Sequence, residues 1–470
     1  MKYDLIIKNG HVVDPANAVN GLADVAFADG KIAAVGPELD IFEAADMIDA
    51  KGLLVVPGVI DPHTHTVRPG SGGAAYKMLL RCGVTTTMDM RGPVETLLEE
   101  LKAKGGGINA GCMNAVFADK DLPTDTVDGP KTRAFIEDKL DRGAFGVKIM
   151  GGHYPFSPDV TGRIIEESAA LKSYVAFHCG STATGSNIKG LLEAVELAGK
   201  NPLHIAHVNS YCRGMVDDVL DETLRGLNAL RNSPNIVSES YLSMMNGTYC
   251  TIDAKGEIES RVTRNCLRMG HYSEDKAGLE KAILDGYCVI YSLAGGEMRL
   301  LPPKDGHKYW QGFPGAQCTF AVNSPIAIMS CATARRKDGA FVVDAFCSDG
   351  GANPRNVIFR NGMMLVHSKY MTLDDLVRKS SLAPARMLGL VNKGHLSTGA
   401  DGDVSVFDPN NGNALYAVVG GKIRMSHGVC ADAPGTVITT ARGADAAARA
   451  GLEAIVVDLA LSMFQKGRDA

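Results

Sequence analysis

The chain has 470 residues, enough for a barrel domain of about 250 residues and a smaller companion. Its 48 basic and 53 acidic residues give a formal net charge of −5 with no long run of either sign. That balance argues against nucleic acid or a membrane surface as the main partner and points to a small molecule. The opening MKYDLIIKNGHVV carries charges among its apolar residues, and no apolar run is long enough to span a bilayer. Eleven scattered cysteines without a CxxC pair read as free thiols, so a soluble, cytoplasmic protein is expected.

The first fifty residues alternate apolar and polar positions, with Asp29-Gly30 as a hairpin signal, and predict a small β-sheet. From Pro57 the pattern changes to short apolar runs separated by amphipathic stretches: GVTTTMDM, INAGCMNAVF, AFGVKIM, YVAFHCGS, PLHIAHVNS and IVSES. Non-alternating strands flanked by helices indicate a parallel sheet covered on both faces, and the repeat predicts an α/β fold, a (β/α)8 TIM-like barrel. Residues 241–339 break the rhythm, being rich in Gly, Pro and Met, and read as an elaborated loop or lid in which YLSMMNGTYC and Trp310 line an apolar pocket. AFVVDAFCSDGG is then the last barrel strand. Strand signals return in GHLSTGADGDVSVFD and ALYAVVGGKIRMSHGV, so both chain ends build one small β-sandwich domain into which the barrel is inserted. The expected division is 1–56 with 390–435 for the small domain, 57–389 for the barrel, and 436–470 as a helical tail.

In VVPGVIDPHTHT, His63 and His65 lie two apart at the end of an apolar run, so a strand aims both imidazoles to one side. Four further polar residues fall in or just after later strands, where barrel enzymes gather their chemistry: Lys148, His178, His207 and Asp349. Each is embedded in sequence too apolar to carry an unpaired polar group cheaply. An ammonium ion beside divalent cations is repelled and desolvated, so Lys148 is expected as a carboxylated lysine, whose two oxygens bridge two metal ions. Four histidines, one carbamate and one aspartate suit two divalent ions, most simply zinc.

These residues in this order, with the PGVIDPHTH run and the closing GHLSTGADGDVSVFD, resemble the amidohydrolase superfamily in its dinuclear branch of hydantoinases, dihydroorotases, isoaspartyl dipeptidases and N-acyl-D-amino-acid deacylases. The resemblance covers most of the chain. It implies that His63 and His65 bind the inner metal with Lys148 and Asp349, while His178 and His207 bind the outer metal with the other carbamate oxygen. The SDGG around Asp349 is similar to the deacylase and isoaspartyl dipeptidase form.

The expected activity is hydrolysis of a non-peptide carbon–nitrogen amide bond, cyclic as in a hydantoin or linear as in an N-acyl amino acid, by a metal-bridging hydroxide. Asp349 is the expected catalytic proton shuttle. His204, three before His207, is expected to face away from the site. Substrate-facing candidates are His153 and Tyr154 as oxyanion donors, and Arg355 and Arg68 as grips for a carboxylate. Dihydroorotases carry such an arginine two after the second histidine, a place held here by Val67. The alternatives are a heterocycle deaminase, against which Lys148 argues, and a non-catalytic dihydropyrimidinase-like scaffold, against which the full ligand set argues. By analogy with relatives, a dimer or tetramer is expected.

Overall fold

The computed structural model describes residues 2–68, 71 and 73–468. The barrel is built from Val59–His65 (β1), Val84–Asp89 (β2), Asn109–Val116 (β3), Gly146–Met150 (β4), Tyr174–His178 (β5), Leu203–Ile205 (β6), Ile236–Tyr241 (β7) and Ala345–Cys347 (β8). Each pairs parallel with the next. After Ser348 and Asp349 the last strand resumes as Gly350–Gly351, which pairs with Thr64 and His65 of β1 and brings the sheet round on itself.

Burial explains why these runs are strands without alternation. Every residue of β1, β2, β3 and β4 is buried, because side chains on one face fill the barrel and those on the other meet the helices. Four of the intervening helices begin at residues that satisfy their own orphan amides: the Asp128, Ser157, Asn187 and Asp218 side chains accept from backbone N–H groups of the first turn. Ile149, Ile164, Phe177, Leu191, Ile205 and Val237 belong to the main apolar core between strands and helices.

The chain ends meet in one nine-stranded sheet. Its two halves join where Leu54–Pro57 runs antiparallel to Val404–Phe407. Ile7, Val25, Phe27, Val55, Val404 and Val418 form its core. No helix among the described residues is long and apolar enough to cross a membrane.

Two regions depart from the sequence reading. Residues expected as a lid form a folded insertion: Met245–Tyr249, Cys288–Ala294, Glu297–Leu300 and Gln317–Ala321 make an antiparallel sheet, covered by helices Arg261–Met269, Lys276–Leu284 and Pro303–Gly312. It has its own core of Leu267, Leu279, Ile283, Ile290 and Phe320. Trp310 belongs to that core and does not line a pocket over the site; it is 3% exposed and its indole N–H donates to the Cys250 carbonyl at 3.2 Å. The tail beyond 435 is not wholly helical either. Thr436–Thr440 pairs parallel with β3, and Ala454–Val457 pairs with Thr436–Thr440. The Ala-rich stretch between them, Ala444–Ala450, and a last turn at Met463–Lys466 take the expected helix, while the β-branched runs on either side of the first join the sheet.

Candidate metal centre and active site

The carboxyl ends of the strands open into a cavity of about 910 Å³ lined by His63, His65, Lys148, His178, His207 and Asp349, together with the substrate candidates Arg68, His153, Tyr154 and Arg355. His65 closes β1, Lys148 is central in β4, and His178 closes β5. His207 lies two residues past β6 with φ 31°, and Asp349 two past β8 with φ 48°. Left-handed backbone is costly for such residues and persists where surrounding contacts impose it, commonly at functional sites. Here it turns both side chains toward the same centre.

The imidazole ring centres are 5.5 Å apart for His63 and His65, 5.0 Å for His63 and His207, and 4.6 Å for His178 and His207. Donor atoms of His63, His65 and Asp349 all lie within 4.8 Å of one another. His65 Nε2 is 2.9 Å and His63 Nε2 3.6 Å from Asp349 Oδ1. His63 Nε2, His65 Nδ1 and Lys148 Nζ are buried and have no hydrogen-bond partner. Orphaned buried nitrogens of this kind are costly, and metal coordination or carbamate formation removes the cost, so the residues present fit a metal centre. Burial pushes His65 down to about 4 and holds His178 and His207 well below the usual imidazole range, keeping them neutral as ligands must be. Burial also pushes Lys148 down to about 8, which brings its free amine within reach near neutral pH.

Two glycine positions show how closely the site is packed. A Cβ on Gly152 would come within 2.1 Å of His178 Nε2. Gly351 has φ 73°, and a Cβ there would meet the His65 backbone at 2.9 Å, so the second glycine of SDGG lets the last strand close on β1.

Glu239, in the middle of β7, is the main site residue that the sequence reading passed over. Fully buried, it accepts from His63 Nδ1 at 2.7 Å, His207 N at 2.5 Å and Cys347 Sγ at 2.9 Å. Burial alone would raise its pKa, but the His63 and His204 imidazoles hold it well below the usual carboxylate range. It thereby fixes the His63 tautomer that leaves Nε2 facing the cavity. The signal was present in IVSES, a lone acid in a buried strand, the same anomaly that marked Lys148. His204 corrects a second expectation: its Nε2 is 3.5 Å from Glu239 Oε1 and its Nδ1 3.2 Å from the Tyr174 hydroxyl, so it points inward beneath the site. The β6 strand ends at Ile205, and alternation does not reach His207.

Asp349 is paired with Arg355, whose Nη2 meets its Oδ2 and whose Nε donates to its carbonyl at 2.7 Å. Burial raises an aspartate, but Arg355 foremost, with His63 and His65, keeps Asp349 well below the usual range. Arg355 Nη1 donates to the Met245 carbonyl at 2.8 Å, so this arginine holds Asp349 and does not stand ready for a substrate carboxylate. Arg68 remains at the cavity wall, donating to Gln317 Oε1 at 2.9 Å. Arg91, just past β2 and unnoticed in the sequence, lines the same cavity. The neighbouring Asp89 accepts from the backbone N–H groups of Thr66, Val67, Arg91 and Gly92 and so ties the His65 loop to the Arg91 loop. His153 and Tyr154 stand at the rim: His153 is 5.8 Å from His178 between ring centres and 6.3 Å from Tyr249 of the insertion.

A sequence model of the amidohydrolase family matches residues 316–430. The chain is 26% identical over 428 residues to the dihydroorotase of Elusimicrobium minutum strain Pei191, spanning 87% of this chain and 89% of that protein. Allantoinase of Escherichia coli O1:K1 / APEC is 44% identical over 95 residues, 19% of this chain and 20% of that protein. Among solved structures, an N-acyl-D-glutamate deacylase from Bordetella bronchiseptica, complexed with zinc and a phosphonate inhibitor, aligns with TM-score 0.66 at 16% identity over 93% of this chain and 99% of that one. A D-hydantoinase from Thermus sp. aligns with TM-score 0.59 at 16% identity, over 92% and 98%. With the barrel closed and its polar residues gathered at one mouth, the chain is similar over most of its length to a dihydroorotase, carries the amidohydrolase family pattern over 316–430, and shares its fold with the deacylase and the hydantoinase.

Proposed function

We propose that this chain is a metal-dependent hydrolase of carbon–nitrogen bonds other than peptide bonds, acting on a small amide that carries a carboxylate, either a linear N-acyl amino acid or a cyclic amide of the hydantoin kind. The observation that carries the reading is the set of buried, unpartnered nitrogens of His63, His65 and Lys148 at the base of a cavity whose wall bears two guanidinium groups, Arg68 and Arg91. His63 and His65 would hold an inner ion and His178 and His207 an outer one, with Lys148 as its carbamate and Asp349 completing the set. When bound, two divalent ions, zinc being the first choice for nitrogen and oxygen donors, supply Lewis-acid activation of water and of the scissile carbonyl.

The chain's own residues account for the remaining steps. Asp349, kept ionised by Arg355, accepts the proton of the attacking water and returns it to the departing nitrogen. His153 and Tyr154, at the rim beside His178, donate toward the oxygen on which charge develops. Arg68 and Arg91 hold the substrate carboxylate and set its orientation. We further place the protein in a reducing compartment, where its eleven cysteines stay free.

The test is a panel of N-acyl D- and L-amino acids, hydantoins and dihydroorotate offered to metal-loaded protein, with amine release or ring opening followed by chromatography. Turnover of a carboxylate-bearing member, lost on chelation and restored by metal, is the expected result. No turnover across the panel at full metal occupancy would overturn the reading.

A further inference from the structure

We propose that Cys250, Cys288 and Cys318 form a three-thiolate site for a thiophilic d10 cation of the zinc and copper(I) class, set behind the wall of the catalytic cavity in the folded insertion. The three Sγ atoms lie within 4.8 Å of one another, and those of Cys250 and Cys288 are 3.9 Å apart. A disulfide needs about 2.05 Å, so this spacing is not that of a bonded pair. Three sulfurs around one ion at a metal–sulfur distance of about 2.3 Å stand about 4.0 Å apart in a plane, close to the separation of the Cys250–Cys288 pair.

Strand register explains how three distant cysteines meet. Gln317–Ala321 is the middle strand, with Met245–Tyr249 on one side and Cys288–Ala294 on the other. One cross-strand row reads Tyr249, Gln317, Tyr291, and all three line the catalytic cavity. The next row reads Thr248, Cys318, Ile290, so alternation turns Cys318 to the back of the sheet. Cys288, opposite Phe320, shares that face, and Cys250, whose N–H donates to the Ala316 carbonyl at 2.8 Å, reaches it from the other edge. All three are buried, at 1% exposure or less, beneath the helix that carries Trp310. Cys288 and Cys318 come from two strands and Cys250 directly follows a third, so an ion held by all three ties the sheet together directly behind the Tyr249, Gln317, Tyr291 row.

Soft thiolates select ions of this class over the hard divalent cations. Binding is a ligand exchange without redox change: three S–H bonds are lost, three metal–sulfur bonds form, and three protons leave. A divalent ion leaves a net charge of −1 and copper(I) leaves −2; metal analysis of the purified protein, grown with zinc or with copper, distinguishes the two sources.

The experiment is a cadmium titration of the stripped, reduced protein, followed by the near-ultraviolet thiolate-to-cadmium charge-transfer band, which histidine and carboxylate ligands of the catalytic centre do not produce. Wild type is expected to show the band, to release about three protons for each ion responsible for it, and to melt at a higher temperature with it. Cys250→Ser and Cys318→Ser should lose the band, while Cys347→Ser, which alters the thiol beside Glu239, and Cys266→Ser, elsewhere in the same core, should keep it. Circular dichroism identifies any variant that fails to fold, and Cys288→Ala then serves in its place. The proposal is overturned if wild type shows no band, or if the band survives loss of the triad and disappears with Cys347→Ser. Neither result bears on turnover at the catalytic centre.

Discussion

Replacing Glu239 by glutamine changes almost nothing in shape and much in chemistry. The carboxylate faces donors on every side: His63 Nδ1 at 2.7 Å and His207 N at 2.5 Å, with Cys347 Sγ at 2.9 Å. A carboxamide has one accepting oxygen and an NH2 that must face another donor. If the NH2 faces His63, the imidazole reverses its tautomer and puts a hydrogen on Nε2, the atom turned to the cavity. If it faces His207, a buried backbone N–H loses its acceptor. A buried hydrogen bond to a charged group is worth about 1.5–3 kcal/mol, and removing a group that orients a metal ligand costs about 10–100-fold in metal affinity, or about 1.4–2.8 kcal/mol. The two routes to the magnitude agree. Competition of the stripped protein with a fluorescent zinc chelator should therefore show Glu239→Gln binding about 10–100-fold more weakly, with kcat/KM lowered at limiting metal. Wild-type affinity and wild-type kcat/KM in a folded Glu239→Gln protein would refute the reasoning.

Asp349→Asn should keep a folded barrel and lose about 10²–10⁴-fold in kcat at saturating metal, measured on the best substrate of the panel; a loss of less than tenfold would remove Asp349 from proton transfer. Because Arg355 holds Asp349 low, Arg355→Met should raise its pKa and move the acid limb of the kcat profile to higher pH, whereas an unmoved limb would mean that Asp349 does not set it. Arg91→Met should raise KM for a carboxylate-bearing substrate by about tenfold or more while its neutral amide analogue is unaffected; equal effects on both would place Arg91 in a structural role. Lys379, buried on the Val343 carbonyl, is pushed down to about 7 from 10.5 by burial. The unfolded chain therefore binds more protons than the folded one between those values, and this group makes stability rise with pH across that window by up to about 1.4 kcal/mol per unit. Lys379→Met should flatten that rise in urea melts at pH 7 and pH 9, and an unchanged slope would contradict it.

The barrel was legible because its strands are short, mostly apolar and without alternation, and most of its helices carry their own caps, so period and punctuation agreed from Pro57 to Ser240. Lys148, His178, His207 and Asp349 stood out for a related reason: a polar residue in such a strand demands a partner. The same reasoning would have found Glu239 in IVSES. What the sequence concealed depends on contacts distant in the chain. The insertion sheet packs on helices with one face and lines the cavity with the other, so its strands lack a clean alternation. Ala454–Val457 is β only because Thr436–Thr440 is there to pair with it, and that strand in turn leans on β3. Arg355 and Arg68 looked alike as candidate grips for a carboxylate, and only the fold shows that one holds Asp349 while the other stands at the cavity wall.

The central claim is that Lys148 and the four histidines hold a two-metal hydrolytic centre. The most direct measurement is metal content per chain on protein purified without chelator, with intact mass under conditions that preserve carbamates, in wild type and Lys148→Ala. About two ions per chain and a carboxylated lysine are expected in wild type, with both falling sharply in the variant. Equal metal content in the two proteins, or no metal in wild type after reconstitution with carbonate, would contradict it.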